Sequence, residues 1–134
     1  MVPSPRAIDA GVPVTADGKY AGGQKLLMIA TNADPSKKSA EVAANQFEQL
    51  GFKLNLRLVP ADTLFTKFCG VPAQKVASCP SVGWFRDFAD PQSMLDATFN
   101  GNNILQQGNV NWPQLNVVSI NNAIGAGPQT LTWT

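Results

Sequence analysis

Apolar and polar positions follow two different periods along this chain, and its last third follows neither. Lys25-Leu26-Leu27-Met28-Ile29-Ala30 opens on an unbroken apolar run, the pattern of a strand covered on both faces. Ala40, Ala43, Ala44, Phe47 and Leu50 then recur at helical spacing, while Lys37, Lys38, Glu41, Gln46 and Glu48 avoid that stripe. Asp34 is placed to cap this helix and Pro35 to open its first turn. Gly51 falls where a helix ends, because glycine accepts positive φ without a Cβ clash. Leu54, Leu56 and Leu58 next alternate with Asn55 and Arg57, the period of a strand. Strand, helix and strand in that order form a βαβ unit, whose two strands run parallel.

The remaining elements are shorter. Asp62 is positioned to cap a second helix carrying Leu64, Phe65 and Phe68, and Ser81-Val82-Gly83-Trp84-Phe85 reads as a third strand. Asp90-Pro91 repeats the cap-plus-proline signal before Met94, Leu95 and Phe99. Residues 1–23, rich in Pro and Gly, read as an irregular arm, and residues 24–134 as one α/β lobe. From Asn100 the texture changes: Asn100, Asn102, Asn103, Asn109 and Asn111 crowd Gly101 and Gly108, so residues 100–134 read as a loop-rich end. Val117 to Ile124 is a candidate helix despite its Asn and β-branched content.

Charge and composition remove most chemistry. Ten Lys plus Arg against nine Asp plus Glu leave a net charge of +1, no footprint for nucleic acid or an anionic membrane. Histidine is absent, which excludes Ser-His-Asp and Cys-His catalysis and His-containing zinc sites. No apolar run approaches the roughly 20 residues of a membrane helix. Cys69 and Cys79 lie ten positions apart around Gly70, Pro72 and Pro80, a spacing that favours a disulfide over two free thiols. Bonded, they would stabilise the fold by about 3 kcal/mol on the chain-entropy estimate, and would suit an oxidising compartment. Pro3, Pro5 and Asp9 interrupt what a secretory signal would keep apolar, so an export signal is expected outside this chain.

The densest chemistry is Gly83-Trp84-Phe85-Arg86-Asp87-Phe88-Ala89-Asp90-Pro91, at a predicted strand-to-helix turn. Open α/β sheets bind ligands at such carboxyl ends of strands. The pattern Gly-Trp-x-x-Asp-Phe-x-Asp-Pro, with Phe99 ending the next helix, resembles the extracellular solute-binding proteins of family 5, the peptide- and nickel-binding receptors of ABC importers. Ala30-Thr31-Asn32-Ala33-Asp34, the Lys37-Lys38 helix and Leu50-Gly51-Phe52 agree with that family in order, and the resemblance runs from about Gln24 to Gly125. It implies a three-layer α/β fold with a mixed, mainly parallel sheet, part of the second lobe of a type II periplasmic-binding-protein-like fold. Family members are several hundred residues long, and nothing here resembles their first lobe.

The resemblance further implies capture of a solute, an oligopeptide first of all, by hinge closure and its delivery to an ABC permease. By position it makes Asp87 the anchor for a ligand's α-amino group and Trp84 and Phe85 cleft-lining residues, with Asn32 able to reach the same cleft. A carboxylate in a closing cleft forms a charge-assisted bond to an ammonium. Each residue also has a plainer reading: Asp87 and Asn32 as turn formers, Trp84 as core packing, Asp90 as a helix cap, Trp112 and Trp133 as core or edge packing. No catalysis, cofactor or metal is expected. The membrane would be met only through the permease or a lipid anchor outside this chain, on the extracytoplasmic side. The alternative function is a ligand-sensing lobe of a transcriptional regulator.

Overall fold

The computed structural model describes residues 11–127, which divide into two compact units. The first comprises residues 11–61 and 76–81, the second residues 62–75 and 82–127.

The first unit is the expected βαβ unit. Strand β1 (Lys25–Thr31), helix α1 (Ser36–Gln49) and strand β2 (Lys53–Val59) follow one another, and β1 pairs with β2 in parallel. The register sets Leu26 against Leu54, Met28 against Leu56 and Ala30 against Leu58. Met28, Ile29 and Ala30 are all buried, so neither face of β1 at its centre meets water. Strand β2 alternates as its sequence does, with Leu54, Leu56 and Leu58 half-buried and Asn55 and Arg57 exposed.

Helix α1 buries Ala40 and Ala44, small residues that let it lie close to its neighbours. The far end of its apolar stripe is more open. Phe47, 37% exposed, meets the edge of Phe52, whose ring stacks on Tyr20 at 4.5 Å. Gly51 ends the helix at φ +97°, its N–H donating to the Glu48 carbonyl. A Cβ at Gly51 would lie 2.3 Å from the Tyr20 carbonyl oxygen, so the close passage of residues 19–20 excludes any other side chain. Residues 13–21 are themselves ordered locally: Val14 bridges Tyr20 across a turn in which the Lys19 N–H donates to Thr15 Oγ1.

Three expectations are corrected here. Asp34 does not cap α1; the helix starts after Pro35 without a side-chain cap, and Asp34 pairs with Lys38 one turn along at 3.2 Å. Asp62 does not cap the next helix either, because that helix (α2, Ala61–Thr63) begins one residue earlier. It continues as a π-helical turn, Leu64–Cys69, that buries Leu64 and Cys69. The third strand does not form at Ser81–Phe85. The sheet gains its third partner upstream, where Ser78 bridges Met28 in parallel, the Ile29 N–H donates to the Ser78 carbonyl, and the Ala77 N–H donates to the Leu27 carbonyl. Pro80 has no N–H and terminates that pairing. The fold class nevertheless stands: a small mixed α/β arrangement around an open parallel sheet. Cys69 and Cys79, the chain's two cysteines, are disulfide-bonded, as their spacing favoured.

The second unit combines short helices with irregular chain and has no strand among the described residues. Helix α3 (Gln92–Phe99), a 3-10 turn at Gly101–Asn103 and helix α4 (Val118–Ala126) are its main elements. Ser93, Thr98, Asn100, Asn109, Asn111 and Asn121 are buried in it. The asparagines satisfy backbone that no helix or strand serves. Asn111 accepts from the Leu115 N–H and donates to the carbonyls of Leu115 and Asn100, while Asn109 donates to the Asn111 carbonyl at 2.7 Å. Asn121, on α4, accepts from the Gly101 N–H and donates to Asn116.

Candidate functional site

The segment 83–91 is an open turn leading into α3, and its local fold follows from two side chains. The Asp90 carboxylate accepts the Gln92 N–H at 2.7 Å, satisfying a donor that the first turn of α3 leaves without an intrahelical partner. Ser93 Oγ donates to the carbonyls of Asp90 and Phe88, drawing the turn against the helix start. Asp90 therefore acts as the cap its sequence context indicated.

Trp84 is half-buried and its indole N–H donates to the Ser93 carbonyl at 3.1 Å. That bond fastens the start of the turn to α3 and gives Trp84 a definite packing role. Phe85 is the opposite case, 89% exposed. Phe88 is also exposed, so two aromatic rings flank Asp87 with little protein against them. Such exposed aromatics are the kind of surface that apolar ligand groups or further protein would cover.

Asp87 is exposed and makes no ion pair or hydrogen bond among the described residues. It lines a groove of about 570 Å³ together with Phe88, Gln92, Asp96, Asn102 and Asn103. No lysine or arginine lines that groove, so its two carboxylates set its charge. Asp96 is held in place: Asn100 Nδ2 donates to Oδ1 at 2.8 Å, and Asn103 Nδ2 donates to Oδ2 at 3.1 Å. A rigid carboxylate and a free one in a single groove can receive the N–H donors of a polar ligand.

Asn32 lies exposed in the first unit, just past the end of β1, where its N–H donates to the Val59 carbonyl. Its backbone thus extends the β1–β2 pairing. Asp87, Trp84 and Phe85 all belong to the second unit. Asp96, Asn102 and Asn103 were not singled out from the sequence. The Asp96/Asn100 spacing of one helical turn was the available signal, because residues four apart meet on a helix face. Trp112 is half-buried, and its indole nitrogen is buried without a partner among the described residues. Trp133 lies outside the described residues.

Among the described residues no group of three or more His, Cys, Asp or Glu is placed to hold a metal ion. None of the helices described is long and apolar enough to cross a membrane.

No family model matches this sequence, and no curated protein matches it either. Among solved structures the chain is similar to "Clavulanic acid biosynthesis oligopeptide binding protein 2", with a TM-score of 0.74 and 19% identity. The match takes in 94% of this chain and 22% of that one, so the chain spans about a fifth of the protein it resembles. At that identity the likeness is one of fold: this chain has the fold of one segment of that oligopeptide-binding protein.

Proposed function

We propose that this chain forms part of the second ligand-binding lobe of an ABC importer's solute-binding component, with oligopeptides as ligands. The fold shared over 94% of the chain with an oligopeptide-binding protein carries this reading. The motif from Gly83 to Pro91 supports it independently, since it places an unpaired carboxylate between exposed aromatics at a groove. In this reading Asp87 anchors the ligand's α-amino group, and Trp84 and Phe85 line the cleft. Closure of two lobes about a hinge would exclude water around Asp87 and strengthen its bond to an ammonium. The disulfide of Cys69 and Cys79 supports an extracytoplasmic setting, because structural disulfides persist in oxidising compartments. A permease would be the partner that receives the ligand.

Two measurements test this. Calorimetry of the 134-residue chain with short peptides should show affinity much weaker than micromolar, since one partial lobe supplies only a share of the cleft's contacts. A micromolar dissociation constant would show that the site is complete without a second lobe. Mass spectrometry of fractionated source cells should find the gene product in the envelope fraction, with peptides continuing past Thr134. A cytosolic product joined to a DNA-binding domain would replace the importer reading by a ligand-sensing one.

A further inference from the structure

Asn100-Gly101 is the chain's single Asn-Gly step, and it lies at the centre of the second unit's amide network. In an unrestrained peptide this dipeptide is the most prone to deamidation, because glycine leaves its amide nitrogen open to approach the preceding side chain. The Gly101 nitrogen attacks Cγ of Asn100, ammonia leaves, and water then opens the succinimide to aspartate or isoaspartate. No oxidant or cofactor is needed; water is the only co-reactant.

Every atom of that reaction is occupied in the fold. The nucleophile is tied up, since the Gly101 N–H donates to Asn121 Oδ1 at 2.8 Å. The electrophilic carboxamide is held at both ends: Asn100 Oδ1 accepts the Asn102 N–H at 3.0 Å, and Nδ2 donates to Asp96 Oδ1 at 2.8 Å. Asn100 is also only 7% exposed, which limits the water that must complete the reaction. Nor can the step be removed by placing a larger residue at 101. A Cβ there would lie 2.2 Å from Oδ1 of Asn116, the residue that also accepts from Asn121.

We propose that Asn100 is a masked deamidation site, guarded by Asn121, whose modification prevents the second unit from closing again. The irreversibility comes from Asp96. Deamidation replaces the donating Nδ2 of Asn100 by a carboxylate oxygen, and the native contact at 2.8 Å becomes one between two anions. The Asn102 N–H and the Asn111 bond to the Asn100 carbonyl are then held around a repelling pair. Opening that is merely transient in the unmodified chain would become permanent after modification.

The test is peptide mapping for isoaspartate at position 100 in the full chain, folded and in urea at mildly alkaline pH. The expected result is conversion at least about tenfold faster in urea, as for any reaction gated by local opening. Equal rates folded and unfolded would overturn the mask. Asn121→Ala, with circular dichroism and tryptophan emission unchanged, should convert several-fold faster than the folded wild type, the bonds to the Asn100 carboxamide still slowing it relative to the unfolded chain. A folded Asn121→Ala with the wild-type rate would assign protection elsewhere and overturn the guard. Should that variant not fold, Asn100→Asp in an otherwise native chain decides the second half of the proposal. Its carboxylate pair is harder to ionise folded than unfolded, so its stability deficit should be greatest near neutral pH and shrink as pH falls through the carboxylate range. Wild-type stability at neutral pH would overturn the claim that modification blocks closure.

Discussion

The two units bury their interiors by different chemistry. In the first, Met28, Ile29, Ala30, Ala40 and Ala44 form an aliphatic interior behind a regular parallel ladder. In the second, Asn100, Asn109, Asn111 and Asn121 are as deeply buried, and each uses its carboxamide in place of a ladder. The aliphatic interior is non-directional, so its strength follows buried area and tolerates small shifts. The amide interior is directional, and its cost appears when one member is removed and backbone groups are left unpaired. A region without a strand ladder, much of it irregular, need not be loosely held.

Asn111→Leu breaks the comparison most severely. It leaves the Leu115 N–H and the Leu115 carbonyl without this partner, at about 1–3 kcal/mol each, or about 2–6 kcal/mol together, while the Asn100 carbonyl keeps the Asn103 N–H. Urea unfolding followed by Trp84 and Trp112 emission should show the loss. A cost below about 1 kcal/mol would mean the buried amides are not what holds the unit together. Ile29→Ala is the aliphatic counterpart and should cost about 2–5 kcal/mol, the range for deleting a fully buried branched side chain. Amide exchange across β1 and β2 should quicken in that variant.

The two Asp-Pro steps sharpen the contrast on a smaller scale. Asp90→Ala should cost about 1 kcal/mol, because the Gln92 N–H loses its acceptor. Asp34→Ala should cost less than about 0.5 kcal/mol, since Asp34 forms only an exposed ion pair with Lys38. Thermal melts of the pair at equal pH would check the ranking, and equal losses would contradict it. The smallest effect concerns Asp17, whose carboxyl is lowered from 3.8 to about 2 by hydrogen bonds from Thr15 and Lys19. A depressed pKa contributes stability present above 3.8 and lost as pH falls through about 2. The turn at residues 15–19 should therefore loosen only in that window, as the proton shifts of Tyr20 would report.

How far each region was legible follows the same division. The βαβ unit could be read because hydrophobic burial imprints a period on the chain, and Ala40, Ala44, Leu54 and Leu56 carry it. The asparagine stretch was legible only as a loop, since a buried and an exposed asparagine look alike in sequence. The apolar run from Ser81 to Phe85 misled because Trp84 and Phe85 supply apolar character without strand pairing; one ties down a helix start and the other faces water. Asp34 and Asp90 have identical local signals, yet only one caps a helix.

By itself the sequence determined the parallel βαβ order, the helix end at Gly51 and the position of the Asp87 motif ahead of α3. These depend on periodicity, on backbone conformations special to glycine, and on residue identity, all local properties. Only the tertiary structure decided that Ser78 rather than Val82 joins the sheet, that Asp96 and Asn103 share a groove with Asp87, and which asparagines turn inward. Hydrogen bonds between residues twenty positions apart, such as Gly101 to Asn121, arise from where the chain returns in space. No local pattern encodes that return, because an amide pairs with whatever polar group the fold brings to it.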